Sequence, residues 1–123
     1  MPLLQTNSLT AFYRDFQALY DIDIALDAGE TVAIIGANGA GKSTFLKTVA
    51  GLIRSPAESV IFDGQPIGAW PAAEIVKLGI ALVPEGRRLF TSLSVEENLL
   101  VGAYGRRGSG PWNLAALYRL FPV

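Results

Sequence analysis

At 123 residues the chain has room for one domain with a buried core, and half its residues are apolar against 17% charged, which argues against disorder. A formal net charge of −1 gives no bulk attraction to nucleic acid or anionic lipid, so no nucleic-acid partner is expected. With neither cysteine nor histidine, disulfides, thiolate metal sites, cysteine nucleophiles and imidazole bases are excluded.

The first sixteen residues lack the basic start and apolar stretch of a secretory signal. No apolar run approaches the ~20 residues that cross a bilayer. The expectation is a soluble, cytoplasmic chain that meets a membrane only through partners. From Leu3 to about Leu26 the pattern mostly alternates, strictly so over Asp21-Ile22-Asp23-Ile24-Ala25-Leu26, which predicts half-exposed antiparallel β-structure. Asp27 to Glu30 supplies a turn. Thr31-Val32-Ala33-Ile34-Ile35 is a β-branched apolar run that reads as a buried strand.

Residues 36–44 read Gly-Ala-Asn-Gly-Ala-Gly-Lys-Ser-Thr and fit the P-loop pattern G-x-x-x-x-G-K-[ST]. Glycines let backbone N–H groups turn inward around phosphates, because no Cβ blocks the approach. Lys42 places a point charge on the β- and γ-phosphates, and the Ser43 hydroxyl suits Mg²⁺. Asn38, Gly39 and Ala40 complete the loop, and Thr44 adds a second hydroxyl. The spacing predicts a helix over Lys42 to Ala50 with Gly51 as its stop, placing a positive helix end under the phosphates.

Further on, Ser59 to Phe62 reads as a short strand followed by an Asp63-Gly64 turn. Pro71 to Leu78 reads as a helix closed by Gly79, and Ile80-Ala81-Leu82-Val83 as a buried strand ended by Pro84. Ser94-Val95-Glu96-Glu97 fits a capping box opening a helix to about Ala103. Gly105 to Pro111 is a polar loop carrying Arg106 and Arg107, and Leu114 to Phe121 is a further helical pattern. The fold class that results is α/β: a partial P-loop NTPase core with an N-terminal antiparallel β piece.

The segment from Val83 to Phe90, Val-Pro-Glu-Gly-Arg-Arg-Leu-Phe, with Leu93-Ser94-Val95-Glu96-Glu97-Asn98-Leu99 beyond it, is more specific than the P-loop. Together they resemble the ATP-binding subunits of ABC transporters, in particular those of branched-chain amino acid importers. The resemblance covers residues 1–123 but only the N-terminal half of that family's domain, so the chain ends before a helical subdomain is complete. It implies that ATP and Mg²⁺ are bound and that Tyr13 stacks on adenine, with Phe12 beside it as the alternative. Glu85 falls where most of the family carries the glutamine of the Q-loop (here residues 83–90). It is either a Mg²⁺ ligand near the attacking water or a solvated loop carboxylate. The resemblance further implies that Arg87, Arg88, Leu89 and Phe90 face the membrane subunits, unless Leu89 and Phe90 pack inward. It also implies a second nucleotide-binding subunit as partner, and a position at the inner face of the membrane.

Three parts that the family uses to hydrolyse ATP have no counterpart here. These are the Walker B strand with its aspartate and glutamate, the LSGGQ-like signature and the switch histidine. Hydrolysis by these residues alone is therefore not expected, and apolar strands lacking partners would favour aggregation. Two other readings remain at this stage. One is a small P-loop nucleotide kinase, with Arg106 and Arg107 as lid residues. The other is a non-catalytic competitor for the membrane subunit.

Overall fold

The computed structural model describes residues 1–37, 39, 41–86, 88–104 and 110–122, with the side chain of Tyr13 outside that description. The residues fall into two units, the first Met1–Leu82 and the second beginning at Val83.

Alternation in the N-terminal stretch yields a hairpin of β1 (Leu4–Tyr13) and β2 (Phe16–Leu26), joined through Arg14 and Asp15. The strands pair antiparallel from Leu4 opposite Leu26 to Tyr13 opposite Phe16, with register shifts between Thr6 and Phe12. Two residues in this irregular stretch, Ser8 and Asp21, have positive φ. Side chains fill in where the ladder shifts. The buried Thr6 hydroxyl donates to the Ile22 carbonyl (2.9 Å) and accepts from the Ile24 N–H (3.0 Å). The Ser8 N–H donates to the Asp23 carboxylate at 2.6 Å.

Two short strands, β3 (Val60–Phe62) and β4 (Gln65–Pro66), extend the sheet in the order β2-β1-β3-β4, antiparallel throughout. Asp63 and Gly64, both at positive φ, make the turn predicted between them. The helix α1 (Lys42–Val49) buries Phe45, Thr48 and Val49, an i, i+3, i+4 stripe, and leaves Leu46 exposed. Thr48 fits the apolar side because its hydroxyl donates to the Thr44 carbonyl at 2.7 Å. Gly51, at φ 84°, stops α1 as predicted. Its N–H donates to the Thr48 carbonyl and that of Leu52 to the Lys47 carbonyl, the paired bonds of a Schellman ending. Helix α2 (Ala72–Ile75) starts after Pro71, continues as a 3₁₀ turn to Leu78 and closes at Gly79, again as predicted.

Leu9, Ala11 and Leu19 of the hairpin, Phe45 and Val49 of α1, and Val60, Ile67 and Ile75 form one buried cluster. Each large member contributes roughly 1.5–3 kcal/mol by burial. In the second unit, α3 (Val95–Gly102) and α4 (Leu114–Leu120) lie where the sequence places them.

Two predicted strands do not form. Neither Thr31–Ile35 nor Ile80–Val83 takes up strand structure, and Ile35 and Val83 are 93% and 90% exposed. An apolar run becomes a strand only when a neighbour supplies ladder hydrogen bonds, and among the described residues none pairs with either run. Val32 and Ile34 are exposed as well. Such surface favours association. The double variant Ile35→Lys with Val83→Lys is therefore expected to reduce self-association of the chain, read by light scattering across a concentration series. Equal scattering from both proteins would contradict this reading.

Candidate functional site

The P-loop leads into the sheet-packed helix α1, and its geometry follows from two requirements. Gly41 is the residue before the helix and sits at φ 97°, a left-handed conformation that a side chain would strain. It also lies close against the hairpin. A Cβ at this position would fall 2.9 Å from Leu19 Cδ2 and 3.0 Å from the Ala18 carbonyl oxygen. Glycine is thus required here by packing as well as by torsion. Gly39 is left-handed too, at φ 87°, with open space around it.

Lys42 opens the helix and turns back over the loop. Its ammonium donates to the Gly36 carbonyl and, at 2.8 Å, to the Ala37 carbonyl. Gly36, Ala37 and Lys42, separated by up to six residues, are thereby brought together. No side chain caps the start of α1, and its first turn carries no acidic residue. Backbone donors, a cation and the positive helix end therefore coincide without a competing carboxylate on that turn. This donor set suits a polyphosphate. Ser43 is exposed at the start of the same turn and Thr44 is partly buried beside it. Asn38, Ala40 and the Tyr13 side chain lie outside the described residues, whereas Phe12 is exposed on β1.

Glu85 belongs to the second unit, on an exposed turn with Gly86 at φ 78°. The Arg88 side chain donates to the Glu85 carbonyl at 3.3 Å. Leu89 and Phe90 are 67% and 55% exposed. Arg87, Arg106 and Arg107 lie outside the described residues. Among the described residues no three carboxylates gather as a metal site, and no helix is long and apolar enough to cross a membrane.

The capping box at the start of α3 is complete. The Glu97 N–H donates to Ser94 Oγ (3.1 Å), and the Ser94 N–H donates to the Glu97 carboxylate (3.0 Å). The bond from the Ser94 backbone, and then that from its side chain, hold the Glu97 carboxyl below the usual carboxylate range. Next along the helix, Asn98 binds back to Phe90, Leu93 and Ser94. No pattern in the residues announces this contact, because an asparagine inside a helical pattern carries no signal of where a preceding loop runs.

Residues 19–120 match the ABC transporter family. The chain is 41% identical over 102 residues to the high-affinity branched-chain amino acid transport ATP-binding protein BraG of Pseudomonas aeruginosa, covering 83% of this chain and 44% of that protein. It is 38% identical to the probable branched-chain amino acid transport ATP-binding protein LivF of Archaeoglobus fulgidus, covering 83% and 43% respectively. Among solved structures, a nucleotide-free ATP-binding cassette from an ABC transporter superimposes with a TM-score of 0.75 at 29% identity, over 97% of this chain and 46% of that one. The fold and the loop thus define an ATP-binding cassette of the P-loop class. This chain belongs to the ABC transporter family, and it spans less than half the length of the relatives it matches.

Gly41→Ala is expected to lower stability by about 1–3 kcal/mol through torsional strain alone, more where Leu19 cannot shift, measured by thermal melting. An unchanged melting temperature would show that the loop is not held against β2. A second expectation concerns acid. Because the Glu97 carboxyl is lowered in the fold, its stabilising contribution is full above the ordinary carboxylate pKa and disappears as pH falls through the lowered value. The Ser94 amide should keep its protection through the ordinary carboxylate range and lose it only in more acid solution, and Glu97→Gln should flatten that dependence. An identical acid profile in both proteins would refute it.

Proposed function

We propose that residues 1–123 are the N-terminal part of the nucleotide-binding domain of an ATP-binding subunit, serving a branched-chain amino acid importer. The single observation that carries the reading is the Lys42 ammonium seated on the Gly36 and Ala37 carbonyls, at the start of a helix with no side-chain cap. The similarity to the Pseudomonas and Archaeoglobus proteins supports the choice of transporter.

In this reading, loop N–H groups of residues 36–44, Asn38, Gly39, Ala40 and Gly41 among them, surround the phosphates of ATP. Lys42 exchanges its carbonyl partners for phosphate oxygens, and Thr44 adds a hydroxyl. Tyr13 stacks on the base. The oxygens of Ser43 and Glu85 are hard donors of the kind Mg²⁺ selects. Once bound, Mg²⁺ would neutralise charge on the phosphates. Leu89 and Phe90, with Arg87 and Arg88, form the contact to the membrane subunits, where exposed apolar and arginine side chains suit an interface. The chain thereby works at the inner face of the membrane, paired with a second nucleotide-binding subunit. ATP hydrolysis coupled to uptake belongs to that assembly.

The test is titration with Mg-ATP, followed by calorimetry, beside Lys42→Ala. The variant should bind more than about tenfold more weakly, since a charge-assisted contact to phosphate is worth roughly 1.5–3 kcal/mol. Equal affinity in the two proteins would overturn the assignment.

A further inference from the structure

Asn98 makes more contacts with the preceding loop than its place in a helix requires. Its side-chain carbonyl accepts from the Phe90 N–H at 3.0 Å, and its amide donates to the Phe90 carbonyl at 3.1 Å. The same amide reaches the Ser94 carbonyl at 2.8 Å and the Leu93 carbonyl at 3.3 Å. A donor and an acceptor on one planar group thus grip both backbone polar atoms of one residue, as a neighbouring strand would. Such a two-point grip fixes the orientation of the peptide units as well as their position. The Leu93 N–H closes the loop on the Phe90 carbonyl at 3.0 Å.

The neighbouring capping box does a different task. Ser94 and Glu97 satisfy each other's backbone N–H groups and so start the helix. Asn98 shares in that start, its N–H and its amide both donating to the Ser94 carbonyl. Its bonds to Phe90 lie outside the helix, and asparagine is a poorer helix former than alanine or leucine. What it holds is Phe90, whose side chain stays exposed beside that of Leu89 while its backbone is pinned. Fixing the backbone that carries exposed apolar side chains before association removes part of the ordering cost of binding.

We infer that Asn98 is a positioning residue, presenting Leu89 and Phe90 in one backbone conformation to the membrane subunit. The inference rests on the reading of this segment as that contact. It assigns to an α3 side chain the rigidity of a surface the helix itself does not form.

The test compares Asn98→Ala, Asn98→Asp and Ser94→Ala in the full chain by residue-resolved hydrogen exchange. Asn98→Ala retains good helix propensity and should accelerate exchange of the Phe90 amide by about tenfold or more, with the amides of Leu99 to Ala103 little changed. Asn98→Asp keeps the acceptor and should restore part of the Phe90 protection. Ser94→Ala should loosen the Glu97 amide and spare Phe90. Unchanged Phe90 exchange in Asn98→Ala, or equal loss in Ser94→Ala, would overturn the inference.

A capture assay with detergent-solubilised membrane subunits of a branched-chain amino acid importer adds the second readout. Both Phe90→Ala and Asn98→Ala should weaken capture. Full capture by Phe90→Ala would overturn the interface reading itself. Loss with Phe90→Ala but full capture by Asn98→Ala would overturn the positioning role alone.

Discussion

The close packing of the start of α1 on the β1–β2 hairpin is the contact on which the rest of the first unit depends. A Cβ at residue 41 would press on Leu19 Cδ2 and on the Ala18 carbonyl oxygen, so anything larger than a hydrogen there makes β2 give way. From that point the helix extends, and its Phe45 and Val49 join Leu9, Ala11, Val60, Ile67 and Ile75 in one buried cluster. The geometry at the end of the loop is a by-product of this packing. Gly39 and Gly41 take left-handed conformations open to glycine at little cost. Core and site therefore share a residue, and neither can be altered at Gly41 without the other.

What could be read from sequence divides along the range of the interactions concerned. The P-loop, the Gly51 stop, the Asp63-Gly64 turn and the Ser94–Glu97 box were legible because each is settled by residues within a few positions of one another. The hairpin was legible in its alternation but not in its turn, since Arg14 takes a left-handed φ of 58° that no glycine or asparagine signals. The runs at Thr31–Ile35 and Ile80–Val83 were read as strands from composition alone. Composition gives the tendency, and a partner gives the ladder. Ile35 and Val83 remain in solvent because that second condition is not met among the described residues.

The candidate site shows the same division. Lys42 was found by its spacing, but its hold on the Gly36 and Ala37 carbonyls needed coordinates. Glu85 and Phe90 were singled out only by likeness to a family, whereas the Asn98 grip on Phe90 depends on the path of a loop and left no local trace. Residues that touch a ligand tend to follow a motif. Residues that hold the motif in place follow the particular fold.

The bonds from Lys42 to its own loop have a consequence for how an anion enters. In the proposed reading Lys42 gives up its carbonyl partners for phosphate oxygens, so the affinity is the difference between two ways of compensating one ammonium charge. Added salt screens the incoming phosphates, while the carbonyl contacts, being dipolar and intramolecular, are affected less. In the proposed reading the loop works as a chelate that releases one ligand to admit another, and ionic strength sets the balance between them.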